Sequence, residues 1–577
     1  MSAIDQITLE VMKNAFYSIT EEMGAALMRS AYSTNIKDRR DFSCALYTRE
    51  GHMLAQAMHI PLHLGAMACA IKGVLNAIPI QDLSPGDLVI MNDPYLGAAH
   101  KPDIMVFTPI FFEEECIAIV GNAAHHIDVG GTIPGSLPPN ATETFHEGLC
   151  ISPIKLKHKG DIDRRLLSLF ERNVRTQHEF RGDLMAQLAA NSVGEKRFLD
   201  LCERRGAKVI QESMSLLEDY CEKRMIQEIK KIPEGVYTFE DVVEGDGITD
   251  NLFAIKCTIT VKDEKIRIDF TGSSPCTKGP INSVLGITLA CVYYVMKALT
   301  DPSIPSNEGT YRPIEVIAPE GTIVNAQFPS AMGLANTITS QRIVDVLLGA
   351  FHQAVPDKVC AACTGSVNPC GFGGINPRTG RYFSYVETYG GGYGATYNRD
   401  GISGVHTHMS NSHNAPIEVI EMTYPLMVEK YGLVPDSEGP GTFIGGFGMV
   451  RELRILETDM RARASTDRVS VGPYGLKGGG NGGKANFLLE EPDGYVRQLP
   501  SKSTFEAHPG EKVIIQTAGG GGWGNPKERD PEKVRENVTQ GLISIERARE
   551  IYYVKIDPET FDIDWNRTRE LRKGFSS

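Results

Sequence analysis

Apolar residues recur at helical spacing from the start of the chain. Ile7, Val11, Ala15, Ile19, Met23 and Leu27 share one face between residues 6 and 32, which predicts an amphipathic opening helix. The period then changes. FSCALYT alternates, and the EG that follows turns into HMLAQ, so a hairpin is expected with Asp41 just ahead of its first strand. IMVFTPIFF and CIAIVGN read as two further strands that fold back on one another. From Asp161 to about Lys231 the chain is charge-rich with recurrent apolar positions and has no proline until Pro233, the pattern of long helices. Alternation resumes at Gly235 in GVYTFEDVV, AIKCTITV and KIRIDF, the last two joined by the turn KDE. ITLACVYYVMKAL and NTITSQRIVDVLLGAFHQAV read as helices. The polar Asn336, Thr337 and Gln341 precede the apolar face of the second, where free backbone amides attract anionic groups. Beyond Glu421 short alternating strands and glycines dominate, and only residues 532 to 553 read as helical.

The expected fold class is therefore α+β. The chain reads as a mixed, multi-domain protein with an N-terminal α/β region, long helices and a β-rich C-terminal region. Its 577 residues, 41% of them hydrophobic, exceed what one core normally supports. Boundaries are expected near 232 and 420, giving regions 1–232, 233–420 and 421–577, the last with a terminal helix. The net charge of −13 argues against a nucleic acid or an anionic membrane as partner. No apolar run approaches the ~20 residues of a membrane span, and MSAIDQITLEVM lacks the basic-then-apolar order of a signal peptide. Twelve cysteines, scattered singly except for Cys360, Cys363 and Cys370, fit a reducing compartment. A cytoplasmic protein is expected.

Chemistry concentrates in the first 150 residues, which hold seven of the fourteen histidines: His52, His59, His63, His100, His125, His126 and His146. NDPYLGAAHKPD carries His100 and Asp103, and GNAAHHIDVGG carries His125, His126 and Asp128. Neutral imidazole and carboxylate are ligands for zinc, manganese and iron, and Pro102 favours the bend that turns His100 and Asp103 to one ion. The two apolar strands bring the second cluster beside the first, so the region 1–232 is expected to bind a divalent metal. Asp41 is placed to approach it. The region 233–420 is expected to supply substrate-cavity loops, Glu387, His406, His408, His413, Asn414 and Glu418 being candidates.

Other motifs read as structural. CAACTGSVNPC contains a CxxC but no second pair and no histidine at finger spacing, so its thiols are expected to pack. Gly478 to Lys484 satisfies GxxxxGK, yet Ala485 stands where a phosphate loop needs Ser or Thr, and a strand-like KANFLLEE follows where it needs a helix. GxSxG and HExxH are absent.

Taken in order, NDPYLGAAHKPD, GNAAHHIDVGG, EGLCISPIKL, NVRTQHEFRGDLMAQLAAN, GPINSVLG, NTITSQRIVDVLLGA, ETYGGGYGA, NAPIEVIE and AGGGGWGNP resemble the hydantoinase B family over about residues 5 to 553. The family comprises metal-bearing subunits of ATP-dependent hydantoinases, oxoprolinases and caprolactamase, with related acetone and acetophenone carboxylases. The resemblance implies a hydantoinase A-type partner that binds ATP and magnesium and phosphorylates the substrate oxygen, in a heterotetramer of two of each subunit. This chain would then hydrolyse the phosphorylated cyclic amide, a lactam, hydantoin or 5-oxoproline, active only with its partner. It implies His100, Asp103 and His125 as ligands of a divalent ion, zinc favoured with manganese or iron possible, and Asp41 as an additional acidic ligand. His126, Asp128 and His146 become proton-transfer or ligand-orienting residues. Ketone carboxylation is the alternative, and a scaffold with a structural metal a third.

Overall fold

The computed structural model describes residues 4–573 apart from Met58. The opening helix runs Gln6–Ser30, capped by Asp5, whose carboxylate accepts from Thr8 N at 2.7 Å. Its buried face is Met12, Phe16, Ile19, Met23 and Leu27, while Ile7 and Val11 are exposed, so the apolar stripe of the first turns is displaced by about one position. That face packs on the long helix Gln177–Arg205 and on the first sheet.

The first sheet has seven strands, β1 (Phe42–Thr48), β2 (Met53–Gln56), β3 (Leu88–Met91), β4 (Asp103–Phe112), β5 (Glu115–His125), β6 (Ile154–His158) and β7 (Asp161–Ile162). Their order is β2-β1-β5-β4-β3-β6-β7, with antiparallel neighbours throughout. β1 is buried along its whole length and β4 and β5 over most of theirs. Burial on both faces explains why β4 and β5 read as near-continuous apolar runs; β1 alternates in sequence yet is buried on both faces too. The charge-rich stretch forms three helices, Arg164–Arg172, Gln177–Arg205 and Ala207–Ile229.

The second sheet joins β8 (Gly235–Glu244), β9 (Leu252–Lys262), β10 (Lys265–Asp269) and β11 (Ile314–Ile317) in the order β11-β10-β9-β8. Its KDE turn places Asp263 and Glu264 at φ 50° and 63°, the left-handed pair of a tight hairpin turn. The helices His63–Ala77 and Leu285–Leu299 meet at Gly65, where a Cβ would stand 2.4 Å from Ala290 N; only glycine permits that approach. One hydrophobic core runs from Met12 through Phe351 and so joins the regions on either side of residue 232.

Two C-terminal sheets follow. One contains Tyr382–Glu387, Cys370–Ile375, Met460–Ser465 and Lys502–Ala507, and so draws strands from both sides of residue 420. The other contains Leu426–Leu433, Met449–Ile455, Lys512–Gln516, Asn486–Glu490 and Val496–Gln498. The GxxxxGK stretch leads into the strand Asn486–Glu490, as its flanks predict. Helices Pro531–Thr539 and Ile545–Glu550 lie where expected, but a third, Trp565–Lys573, was not anticipated. It buries only Thr568 among its residues and therefore carries no apolar periodicity to read. The architecture is α+β with several sheets, and no described helix is long and apolar enough to cross a membrane.

Candidate metal centre

Strand register builds this site. In the ladder β1-β5-β4, Phe42 faces Ala124 and Ala124 faces Ile104; one step outward, Asp103 faces His125, and the His125 amide donates to Asp41 O at 3.0 Å. Asp41, His125 and Asp103 are thus opposite one another at the same end of three adjacent strands. Directly opposed residues present their side chains on one face. His100 joins them through the turn that precedes β4, closed by Asp103 N donating to His100 O.

The donor atoms form a small triangle. His100 Nε2 lies 3.1 Å from His125 Nδ1 and 3.2 Å from Asp103 Oδ1, and His125 Nδ1 lies 3.1 Å from Asp103 Oδ1. Ligands about 2.0–2.1 Å from a tetrahedral ion stand roughly 3.3 Å apart, so this triangle fits one face of such a coordination shell. The three residues are among the groups of His, Cys, Asp and Glu able to hold an ion. Burial opposes ionisation of Asp103, but the charge of His100 and hydrogen bonds from His100, His125 and His63 outweigh it and hold the carboxyl well below its ordinary range.

The surroundings orient these groups. His63 Nε2 approaches Asp103 Oδ2 at 3.4 Å while its Nδ1 meets Ser43 Oγ at 2.8 Å. Asn336 Nδ2 donates to the same Asp103 oxygen at 3.4 Å, and its Oδ1 is buried without a partner. The Gly333 carbonyl faces His100 Nδ1 at 3.4 Å, and Glu147 holds that loop by accepting Met332 N and Gly333 N, each at 2.7 Å. Such outer partners fix the tautomer and direction of ligating imidazoles. His63 stood in the sequence only as one histidine among seven, and Glu147 carried no signal there, since the fold alone brings residues 147 and 333 together.

The triangle opens onto a cavity of about 50 Å³ that Asp41, Arg39, Thr388, Ser410 and Ser412 also line. That space admits one or two waters at about 30 Å³ each, not an organic ring. A neighbouring cleft of about 600 Å³ lies between the opening helix and Leu285–Leu299, and Ile60 borders both spaces.

His126, Asp128 and His146 are placed elsewhere. His126 is the residue just past the end of β5, and its side chain turns away from that of His125. Its Nε2 meets Gln187 Oε1 at 2.9 Å, its ring packs on Phe180, and burial lowers its pKa. Asp128 is fully buried and accepts Gly130 N, Gly135 N and Arg175, bracing its own loop. His146 lies in the short turn Thr144–Glu147 with 37% of its side chain exposed, beside Glu143 at 3.5 Å. None of the three lines the cavity.

Residues 5–526 match the model of the Hydantoinase B/oxoprolinase family. The chain is 41% identical to an uncharacterized protein of Methanocaldococcus jannaschii over 99% of this chain and all of that one. It is 34% identical to the B-type component of a putative D-/L-hydantoinase of Pseudomonas sp. (strain NS671) over 99% of both, and 34% identical to 5-oxoprolinase 1 of Arabidopsis thaliana over 90% of this chain but 42% of that longer one. Among solved structures, the ATP-dependent caprolactamase of Pseudomonas jessenii superposes with a TM-score of 0.92 at 28% identity, covering 99% of this chain and all of that one. A nucleotide-free acetone carboxylase shares the fold, with a TM-score of 0.91 at 20% identity over 98% of this chain and 82% of the other. The chain belongs to the hydantoinase B/oxoprolinase family.

Proposed function

We propose that this chain is the metal-bearing subunit of an ATP-dependent enzyme that hydrolyses a cyclic amide, a lactam, hydantoin or 5-oxoproline. The observation that carries the reading is the triangle of His100, Asp103 and His125 facing a cavity. Similarity to a hydantoinase component and to 5-oxoprolinases along nearly the whole chain supports the substrate class. The partner is a hydantoinase A-type subunit that binds ATP and magnesium, assembled two with two, in the cytoplasm, where thiols stay reduced.

The chemistry follows from the amide. An unstrained lactam resists water because its nitrogen lone pair is delocalised; phosphorylating the oxygen on the partner removes that resonance and leaves an electrophilic carbon with a good leaving group. A divalent ion, zinc before manganese or iron, lowers the pKa of water toward neutrality and so supplies hydroxide at pH 7. His100, Asp103 and His125 would hold it and leave a position for water, with Asp41 at the adjacent strand end as an additional acidic ligand of an expanded shell. His63 and Asn336 keep Asp103 directed at the ion. The ring occupies the larger cleft and reaches the ligands past Ile60.

His126, Asp128 and His146 do not line the cavity, so the proton of the attacking water goes to a residue that does. Asp41 is the lining carboxylate besides Asp103, and Asp41→Asn separates its two roles. A ligand loses metal on substitution; a proton acceptor keeps the metal and loses turnover.

The direct test uses this chain co-purified with its partner, following ADP release and product mass with 5-oxoproline, hydantoin, caprolactam and acetophenone, with and without bicarbonate. Bicarbonate-independent gain of water supports the proposal. Bicarbonate-dependent gain of a carboxylate moves the chain to ketone carboxylation on the same residues. Retained turnover after loss of the metal leaves a scaffold with a structural ion.

A further inference from the structure

A second cluster of ligating side chains lies outside the centre just described. Donor atoms of Asp345, Cys363 and His408 lie within 4.8 Å of one another, and all three residues are buried. His408 Nε2 is 3.3 Å from Asp345 Oδ1, which also accepts Cys363 N at 3.2 Å. The Cys360 thiol hydrogen-bonds to that of Cys363, outside the trio of mutually close donor atoms. The CxxC that lacked a histidine at finger spacing in the sequence thus has one in space, brought 45 residues along the chain from Cys363 by the fold.

We propose that Cys360, Cys363, His408 and Asp345 form a second, closed divalent-metal site of structural type, with zinc as its ion. Two cysteines, a histidine and a carboxylate make four protein ligands, the number that closes a tetrahedral site and leaves no position for substrate. The walls agree. Tyr294 and Tyr393 set their rings 5.9 and 5.6 Å from that of His408, and the Tyr474 hydroxyl donates to Asp345 O at 2.6 Å. Arg468 donates to the other Asp345 oxygen at 2.9 Å, the outer contact that orients a ligating carboxylate. His408 Nδ1 is buried with no partner, and the residue sits at φ 51°, in the left-handed region.

Around Asp345 the cations Arg342, Arg468 and Lys502 face the carboxylates of Asp241, Asp345 and Asp467, and the buried Glu244 carboxylate also acts on Lys502. A divalent ion that displaces one proton from each of Cys360 and Cys363 adds two positive and two negative charges and leaves the balance of this cluster unchanged. The role follows from position. Asn336 and Asp345, Val367 and Cys363, and Met409 and His408 are pairs in which one segment serves both places, the first member of each lining the His100 cavity. An ion in the second site would fasten three of the segments that wall the first.

The test is a metal inventory of the full-length chain. Two ions per chain are expected, one remaining in Asp103→Ala and one in Cys363→Ser. Because the first centre has no sulfur ligand, X-ray absorption of the zinc form of the unsubstituted protein should show sulfur scatterers at about 2.3 Å. The cobalt form should show thiolate-to-cobalt charge-transfer absorption that survives Asp103→Ala and vanishes in Cys363→Ser. A single ion with only nitrogen and oxygen neighbours overturns the proposal, as does a Cys360–Cys363 disulfide found by mass spectrometry in freshly isolated protein. These results are read on the unsubstituted chain, so a variant that fails to fold does not obscure them, and they are independent of whether the His100 centre hydrolyses amides.

Discussion

The two ligand clusters differ in what surrounds them. His100, Asp103 and His125 face a water-sized cavity with Asp41, Thr388 and two serines on its walls, and their outer contacts come from single side chains such as Asn336 and His63. Asp345, Cys363 and His408 face tyrosine rings, and Arg468 ties Asp345 to a network of fixed charges. An ion with hard nitrogen and oxygen ligands and free space beside it suits chemistry on water; soft thiolates sealed behind aromatic rings suit cohesion. If that contrast is right, damage to the first cluster costs turnover and damage to the second costs stability.

The largest effect expected is that of Asp103→Ala. This carboxylate is contacted by three imidazoles and an amide, and its removal dissolves the triangle. Turnover with the partner should fall at least a thousandfold, the scale of the several kcal/mol that an ion supplies to such a reaction. Denaturation should change far less than turnover. The reverse is expected for Arg468→Leu, which strips Asp241 and Asp345 of a shared guanidinium at 2.7 and 2.9 Å. Burial works against ionisation of Asp241, yet Arg342 and Arg468 hold its pKa down to about 2, so the charge left behind is real. A loss of about 3–5 kcal/mol in chemical denaturation is expected. Should Arg468→Leu keep full stability, or Asp103→Ala keep turnover, the contrast between the two clusters fails.

The same contrast explains what could be read beforehand. The hairpin and its His100, Asp103 and His125 ends were legible because two apolar runs of strand length separated the clusters, and antiparallel pairing of such runs returns the chain to its starting level. Asp41 was legible by its place before β1. The orientation of neighbours was not. His126 and Asp128 look like members of the cluster in one dimension, but His126, just past the end of β5, turns away from His125 to Gln187, and Asp128 belongs to a loop that Arg175 closes. The second cluster was hidden for a different reason: Asp345, Cys363 and His408 come from a helix and two loops, so no local spacing records their meeting.

Smaller effects sharpen the first site. Burial pushes the Glu147 carboxyl up to about 7, against the pull of Gly333 N, Met332 N, Lys101 and His100. The sign follows: below its ordinary 4.5 both folded and unfolded chains are protonated, and as pH rises toward 7 the unfolded chain ionises first, so stability is lost across that window. The loss is on the order of 3 kcal/mol. Glu147→Gln keeps the acceptor for Met332 N and Gly333 N, and denaturation midpoints should lose that slope; an unchanged slope assigns it to other groups. Asn336→Ala removes only one contact to Asp103, so metal affinity should weaken about 10- to 100-fold in a chelator competition, as for other outer contacts. Unaltered affinity would leave Asn336 with a role toward substrate alone.

The smallest effect should come from His146→Ala. The resemblance makes His146 a proton-transfer or ligand-orienting candidate, whereas its ring is more than a third exposed and its contacts are an exposed pairing with Glu143 and the Thr142 amide at 3.3 Å. What the turn contributes to the fold is backbone, the His146 carbonyl accepting Thr132 N at 2.9 Å, and alanine retains that. Stability should stay within about 0.5 kcal/mol. Turnover and metal content should stay with it, because the cavity reaches the ligands through Asp41, Thr388 and the serines and not through this turn. A collapse of turnover with the metal still bound would mean that the Thr144–Glu147 turn moves when the partner docks. In that case His146 would carry the proton, and the distinction between residues that line the cavity and residues that do not would hold only for the isolated chain.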